Sequence, residues 1–194
     1  DEHGITVHTH DLSLGSPFTA VLDGEVDAVI AEFPVHEREL TVRYRFPPQD
    51  QLVAVSSDHA YAGRDSIDVE ELASLDLLHR VGDAPDYWKS ARTPPATPAG
   101  TPIRSTTGVT TIQQGMTLAA SGRYALLACR PLAEHHARTD LRFIPVTGLE
   151  ATSQLGLVWR ADRGSPQLVA LAQFLKDGDT ATKGQESANP EVGD

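Results

Sequence analysis

Several things are scarce in this sequence, and each scarcity removes a class of function. It has one cysteine, Cys129, so an internal disulfide and a cysteine-based zinc site are both excluded. No apolar run approaches the roughly 20 residues that a membrane-spanning helix needs. Lys and Arg number 16 against 27 Asp and Glu, a net charge of -11, so the general surface does not suit nucleic acid. There is no glycine-rich loop followed by Lys-Ser or Lys-Thr, no dinucleotide fingerprint and no glycine-x-serine-x-glycine elbow. Methionine occurs once, at Met116, and the chain opens on Asp1, so the sequence reads as part of a longer product.

What is present alternates between strand and helix signals over 194 residues, enough for one substantial domain or two small lobes. Residues 5–10 alternate as a strand would; Ser16-Pro17 looks like a helix cap followed by proline at the first helical position, with Gly24 as the stop. Residues 26–30 give a second strand, and together these predict a βαβ unit with a parallel pair. Residues 40–46 and 51–56 read as strands. Asp68 with Glu71 has capping-box spacing, while Ile67 and Leu72 stand as a hydrophobic staple, so a short helix follows. Residues 77–81 predict a strand. Four prolines mark residues 91–102 as a loop or extended arm.

In the second half Val109, Ile112, Met116 and Ala119 share a helical stripe that Gly122 ends. Residues 124–129 predict a strand buried on both faces, and residues 131–137 a brief helix. Strands at 141–146 and 155–160 precede Ser165-Pro166, which repeats the earlier cap and opens a helix to about Lys176. The polar stretch 178–194 predicts a disordered tail.

Chemistry-bearing clusters are few. Ser56, Ser57, Asp58 and His59 place hydrolytic residue types side by side, yet neighbours at a strand end point apart, and a turn is the better reading. His8 and His10 share a strand face without an evident third ligand, and His135-His136 decorates a solvated helix, so no metal site is assigned. Hydroxyl residues gather at two helix starts, Ser13 and Ser16 at the first, Ser105, Thr106 and Thr107 at the second. Backbone N–H groups there suit an anion such as a carboxylate if the two starts face one another across a cleft.

Four stretches, in order, resemble the LysR-type transcriptional regulators: LDGEVDAVIAEFP (22–34), LVAVSSDHAYAGRDSIDVEELASLDLL (52–78), TLAASGRYALLACRPLAEH (117–135) and LGLVWRADRGSPQLVALAQFL (155–175). The resemblance implies an α/β fold of the type 2 periplasmic-binding-protein kind, two lobes joined by crossover strands. It places residues 1–79 with 151–177 in lobe I, without the family's first strand and helix, and 80–150 in lobe II. It implies an effector-binding domain that is not an enzyme and carries no cofactor. A small-molecule effector, an acidic or aromatic metabolite given the hydroxyl-rich helix starts and nearby Tyr87 and Trp88, would sit in the inter-lobe cleft. By matching position the effector contacts would be Ser13, Glu32, Phe33, His79, Arg80, Thr107 and Cys129, although Cys129-Arg130 departs from the family's usual proline. DNA would be met only through an N-terminal winged helix-turn-helix outside this sequence, by a cytoplasmic homodimer or homotetramer with no membrane contact. The alternative is an extracytoplasmic solute-binding receptor of a transport system, and a hydrolase using Ser57, Asp58 or His59 is the remaining rival.

Overall fold

A computed structural model describes residues 5–135, 138–149 and 153–186, the last eight of these by backbone alone. Two sheets organise it. The first has the order β1-β9-β2, built from β1 (Val29–Glu32), β9 (Leu155–Arg160) and β2 (Leu40–Arg45), with both pairings antiparallel. The second has the order β4-β8-β3-β7, from β4 (Ile67–Asp68), β8 (Leu141–Thr147), β3 (Gln51–Ser56) and β7 (Leu126–Cys129). A short parallel pair, β5 (His79–Arg80) with β6 (Gly108–Val109), lies in the stretch of chain between β4 and β7.

The first sheet is covered on both faces. The helix α5 (Pro166–Glu186) lays Leu168 and Ala172 over Tyr44, Leu157 and Trp159. On the other face Phe18 and Val21, carried by or next to α1 (Thr19–Asp23), meet Val29, Ala31 and Val158. Trp88 of α2 (Asp86–Arg92) joins that same cluster, although its chain neighbours on either side run to the second sheet. The second sheet packs Val53, Leu127 and Ile144 against the 3-10 helix Val69–Ser74. Its other face packs Ala54, Leu126 and Leu141 against Met116 and Ala119 of α3 (Ile112–Ala120).

The local signals hold where neighbours do not intervene. Asp68 accepts from the Glu70 amide at 2.9 Å, while Glu71 takes the Asp68 amide at 3.0 Å, and Ile67 and Leu72 are buried in one cluster. Thr111 caps α3 by accepting from Gln114 N at 3.1 Å. Ser165 caps α5 through Leu168 N at 3.2 Å. His59 is a turn residue: its Nδ1 accepts from the Tyr61 amide at 3.1 Å, and its own amide bonds Ser56 O at 3.0 Å.

Several expectations fail for physical reasons. Residues 5–10 form no strand, and β1 pairs antiparallel with β9 rather than parallel with that segment, so the βαβ unit is absent. The segment has no hydrogen-bonded strand beside it, and alternation alone does not make one. Ser16 caps no helix; α1 begins at Thr19 and is held by burial of Phe18 and Val21. Sheet membership changes between Arg45 and Gln51 instead of at 79–82. All six residues of β3 are buried, so it needs a neighbour on each side, and β7 and β8 supply both. Residues 46–50 join the two sheets there, and Gln49 exchanges backbone hydrogen bonds with Ser153 at 2.8 and 2.9 Å. Finally, α5 runs on to Glu186 where a disordered tail was expected from 178. No proline interrupts it, and Gln173 donates to Asp177 one turn on at 2.7 Å. The remainder of that tail, 187–194, lies outside the described residues, as does His136.

Leu72 is fully buried, so Leu72→Ala should cost about 2–5 kcal/mol in urea unfolding. Asp68→Ala, which removes only the cap, should cost about 1 kcal/mol in the same measurement.

Candidate functional site

Three of the residues singled out above, Glu32, Arg80 and Cys129, come together near the junction between the two sheets. Glu32 ends β1 and is followed by a cis peptide bond between Phe33 and Pro34. Its carboxylate is claimed by three segments. Arg80 Nη1 donates to Oε2 at 3.1 Å from β5, Arg92 Nη1 donates to Oε1 from the end of α2, and Ser153 Oγ donates to Oε1 at 3.1 Å from the returning crossover. Side-chain exposure is 7% for Arg80, 5% for Arg92 and 13% for Glu32, so all three charges are largely out of water.

Helical periodicity places Trp88 and Arg92, four residues apart, on one face of α2. Trp88 Nε1 donates to Glu32 O at 2.8 Å, and the Arg80 guanidinium lies 4.7 Å from the Trp88 ring centroid. Arg92 Nη2 donates to Phe33 O. Tyr87, from the preceding position, donates to the Glu37 carboxylate at 2.6 and 2.7 Å and stacks on the His36 ring at 4.3 Å. Burial, then the Glu37 hydrogen bond, pushes the Tyr87 hydroxyl up to about 12.

The electrostatics of the cluster follow from its composition. Burial alone would raise the Glu32 carboxyl; the charges of Arg80 and Arg92 and the hydrogen bonds from Arg80 and Ser153 outweigh it and hold the group below its usual range. Burial draws Arg80 down, and Glu32 opposes that. Cys129, at the end of β7, feels both: burial first and the Glu32 charge second push its thiol up, against the pull of Arg80. It therefore stays a thiol at neutral pH, a poor nucleophile. Among the described residues two guanidinium groups face one carboxylate, and Arg92 Nε is buried with no acceptor.

Other predicted contacts fall beside this cluster. His79 Nδ1 lies 3.0 Å from Ser105 Oγ, whose hydroxyl donates to Leu77 O at 2.6 Å. Ser105 thus accepts from His79 Nδ1–H, leaving His79 Nε2 as a bare acceptor. The His79 amide bonds Thr107 O at 3.1 Å. Ser13 Oγ accepts from Gly15 N at 3.1 Å, in a turn that touches Gly82. A Cβ on Gly82 (φ 126°) would lie 2.6 Å from Gly15 Cα, and Ala84 N donates to Gly15 O at 2.5 Å, so backbone meets backbone between the lobes.

The structure thus joins Glu32, Arg80 and Cys129 in one cluster, sets His79 and Thr107 beside it and leaves Ser13 at the Gly15 turn. Phe33 departs: its ring lies under the Arg45 guanidinium, 3.9 Å from the centroid, and against Gly156. None of the seven lines the cavity of about 520 Å³, which lies between residues 5–12, residues 25–30 and α5. The sequence reading missed Arg92 and Ser153, although a Trp and an Arg at helical spacing was a usable signal for the first.

With its folded value depressed, Glu32 stabilises the protein above the unfolded carboxyl pKa of about 4.3 and loses that contribution as pH falls through the lowered folded value. Glu32→Gln, which leaves two buried guanidinium groups uncompensated, should cost about 3–5 kcal/mol at pH 7 in urea unfolding. That difference should shrink as pH falls below the unfolded value of about 4.3 towards the lowered folded one.

The family model described as LysR substrate binding domain matches residues 3–179. No curated protein sequence matches the chain. Among solved structures, the reduced form of the OxyR regulatory domain from Pseudomonas aeruginosa is similar with a TM-score of 0.58 at 19% identity, over 79% of this chain and 73% of that one. The BenM effector binding domain with its effector benzoate gives 0.65 at 13% identity, over 94% and 81%. Full-length CbnR complexed with target DNA gives 0.65 at 15% identity, over 84% of this chain and 57% of that one. The chain therefore spans little more than half of that full-length regulator. Its two α/β lobes, bridged where Gln49 pairs with Ser153, have the type 2 periplasmic-binding-protein-like fold, and the chain belongs to the LysR substrate-binding-domain family.

Proposed function

We propose that this chain is the effector-sensing domain of a LysR-type transcriptional regulator and that its effector is a small carboxylate. The observation that carries the reading is the junction itself. Among the described residues two buried guanidinium groups meet a single carboxylate there, an excess of one positive charge. An anion from solution supplies what the cluster lacks. Glu32, Arg80 and Cys129 would border the ligand, with His79, Thr107 and Ser13 at its edges. The bare Nε2 of His79 would accept from a ligand hydroxyl or amine. The BenM relative carries benzoate as its effector, which supports the anionic class.

Binding energy would be spent on geometry. A ligand that prefers one disposition of the lobes shifts the population towards it, and the oligomer changes how it presents DNA-binding helices carried elsewhere in the protein. The DNA complex of CbnR supports that partner. The whole protein would act in the cytoplasm as a homodimer or homotetramer, without enzyme activity or cofactor. Among the described residues no helix is long and apolar enough to cross a membrane.

Calorimetry with benzoate, other small aromatic and aliphatic carboxylates, and neutral sugars tests the reading. A saturable carboxylate signal is expected, weakened at least tenfold (about 1.4 kcal/mol) in Arg80→Met. Saturable sugar binding with none for any carboxylate would overturn it.

A further inference from the structure

The manner in which Glu32 is held is that of a bound ligand. Its two oxygens take donors from Arg80, Arg92 and Ser153, the pattern a free carboxylate adopts between two guanidinium groups. The side chain stands on β1 of the first sheet, whereas β5 and α2 lie in the stretch of chain between β3 and β7 of the second. Its contacts therefore cross from one lobe to the other. They also fix α2: Arg92 reaches Glu32 and Phe33 O, and Trp88, 2% exposed, reaches Glu32 O and packs on Phe18, Val21 and Val29. Removing the carboxylate would leave the backbone bonds of Trp88 and Arg92 in place but would vacate a space the size of a short carboxylic acid.

Arg92 adds a second, independent sign. Its Nε is buried with no hydrogen-bond partner among the described residues, so the guanidinium presents a further donor beside the oxygen it already holds. A side chain with a single carboxylate satisfies one edge of Arg92; a ligand free to reorient can satisfy the other.

We propose that Glu32 is a built-in occupant of a carboxylate site, that it holds α2 against the first sheet in the absence of effector, and that a free carboxylate acts on the chain by taking its place on Arg92 and Arg80. This rests on the effector-sensing reading and names the regulation of that site. The tethered carboxylate competes at an effective concentration on the order of millimolar, so an effector must bring further contacts to displace it. Displacement frees Glu32 and loosens α2, which gives the two occupants different lobe arrangements and makes the exchange a switch.

The experiment is chemical rescue in the 194-residue chain. Glu32→Ala is compared with wild type and with Glu32→Ala/Arg92→Met, in sodium acetate and in sodium chloride at equal ionic strength. In chloride, Glu32→Ala should show amide exchange at residues 86–92 at least tenfold faster than wild type and red-shifted tryptophan emission. Acetate should reverse both saturably, and the double variant should not respond. If Glu32→Ala is unfolded in chloride, recovery of its far-ultraviolet dichroism in acetate supports the site equally, and continued unfolding in both salts overturns it. Identical responses of Glu32→Ala to the two salts, or rescue of the double variant, also overturn it. The rescue does not use the natural effector, so a failed carboxylate screen on wild type and a failed rescue remain separate results.

Discussion

A carboxylate removed from water must be neutralised by its surroundings, and the burial of Glu32 dictates much of what surrounds it. Two arginines and a serine have to arrive at one point from β5, α2 and the returning crossover. Glu32 is 48, 60 and 121 residues from these three partners, so satisfying one side chain fixes how distant parts of the chain approach. The Gly15–Gly82 contact follows, since backbone can meet backbone so closely only where neither residue carries a Cβ.

The rest of the molecule is arranged to keep that junction narrow. Each sheet has its own clusters, and each could bury its apolar residues without the other. Much of what meets there is polar or charged, beside an apolar contribution from Ala84, Tyr87 and Trp88 to the first sheet's cluster. A junction of this kind is specific in register, because charged partners must meet in defined geometry, while little apolar area resists its rearrangement. A sensing domain needs that combination: two well-defined arrangements separated by a modest free-energy difference.

How far the sequence could be read depended on the range of the interaction involved. The Asp68–Glu71 box, the Ser165 cap and the buried strand β3 rest on neighbours a few residues away, and each is where the pattern placed it. Ser16-Pro17 carries the same letters as Ser165-Pro166 and caps nothing, because a five-residue helix is positioned by the burial of Phe18 and Val21. Residues 5–10 alternate like a strand but lack a partner, and a strand is a property of two segments. At the junction, family position named Glu32, Arg80 and Cys129, which the fold brings together. Arg92 was not named: its spacing from Trp88 was a usable signal for a shared helix face, but its burial depends on Glu32, 60 residues away.

The sequence by itself determined the class of the chain: α/β alternation, the family motifs in order, an acidic surface unsuited to nucleic acid, and a lone cysteine without a disulfide partner. These follow from composition and from patterns read over a few residues. Tertiary structure alone decided the point at which the chain passes from one sheet to the other, and the meeting of Glu32 with Arg80, Arg92 and Ser153. The physical reason is that desolvation acts on a charge only once the chain has closed around it, and which charges share that enclosure depends on segments up to 121 residues apart.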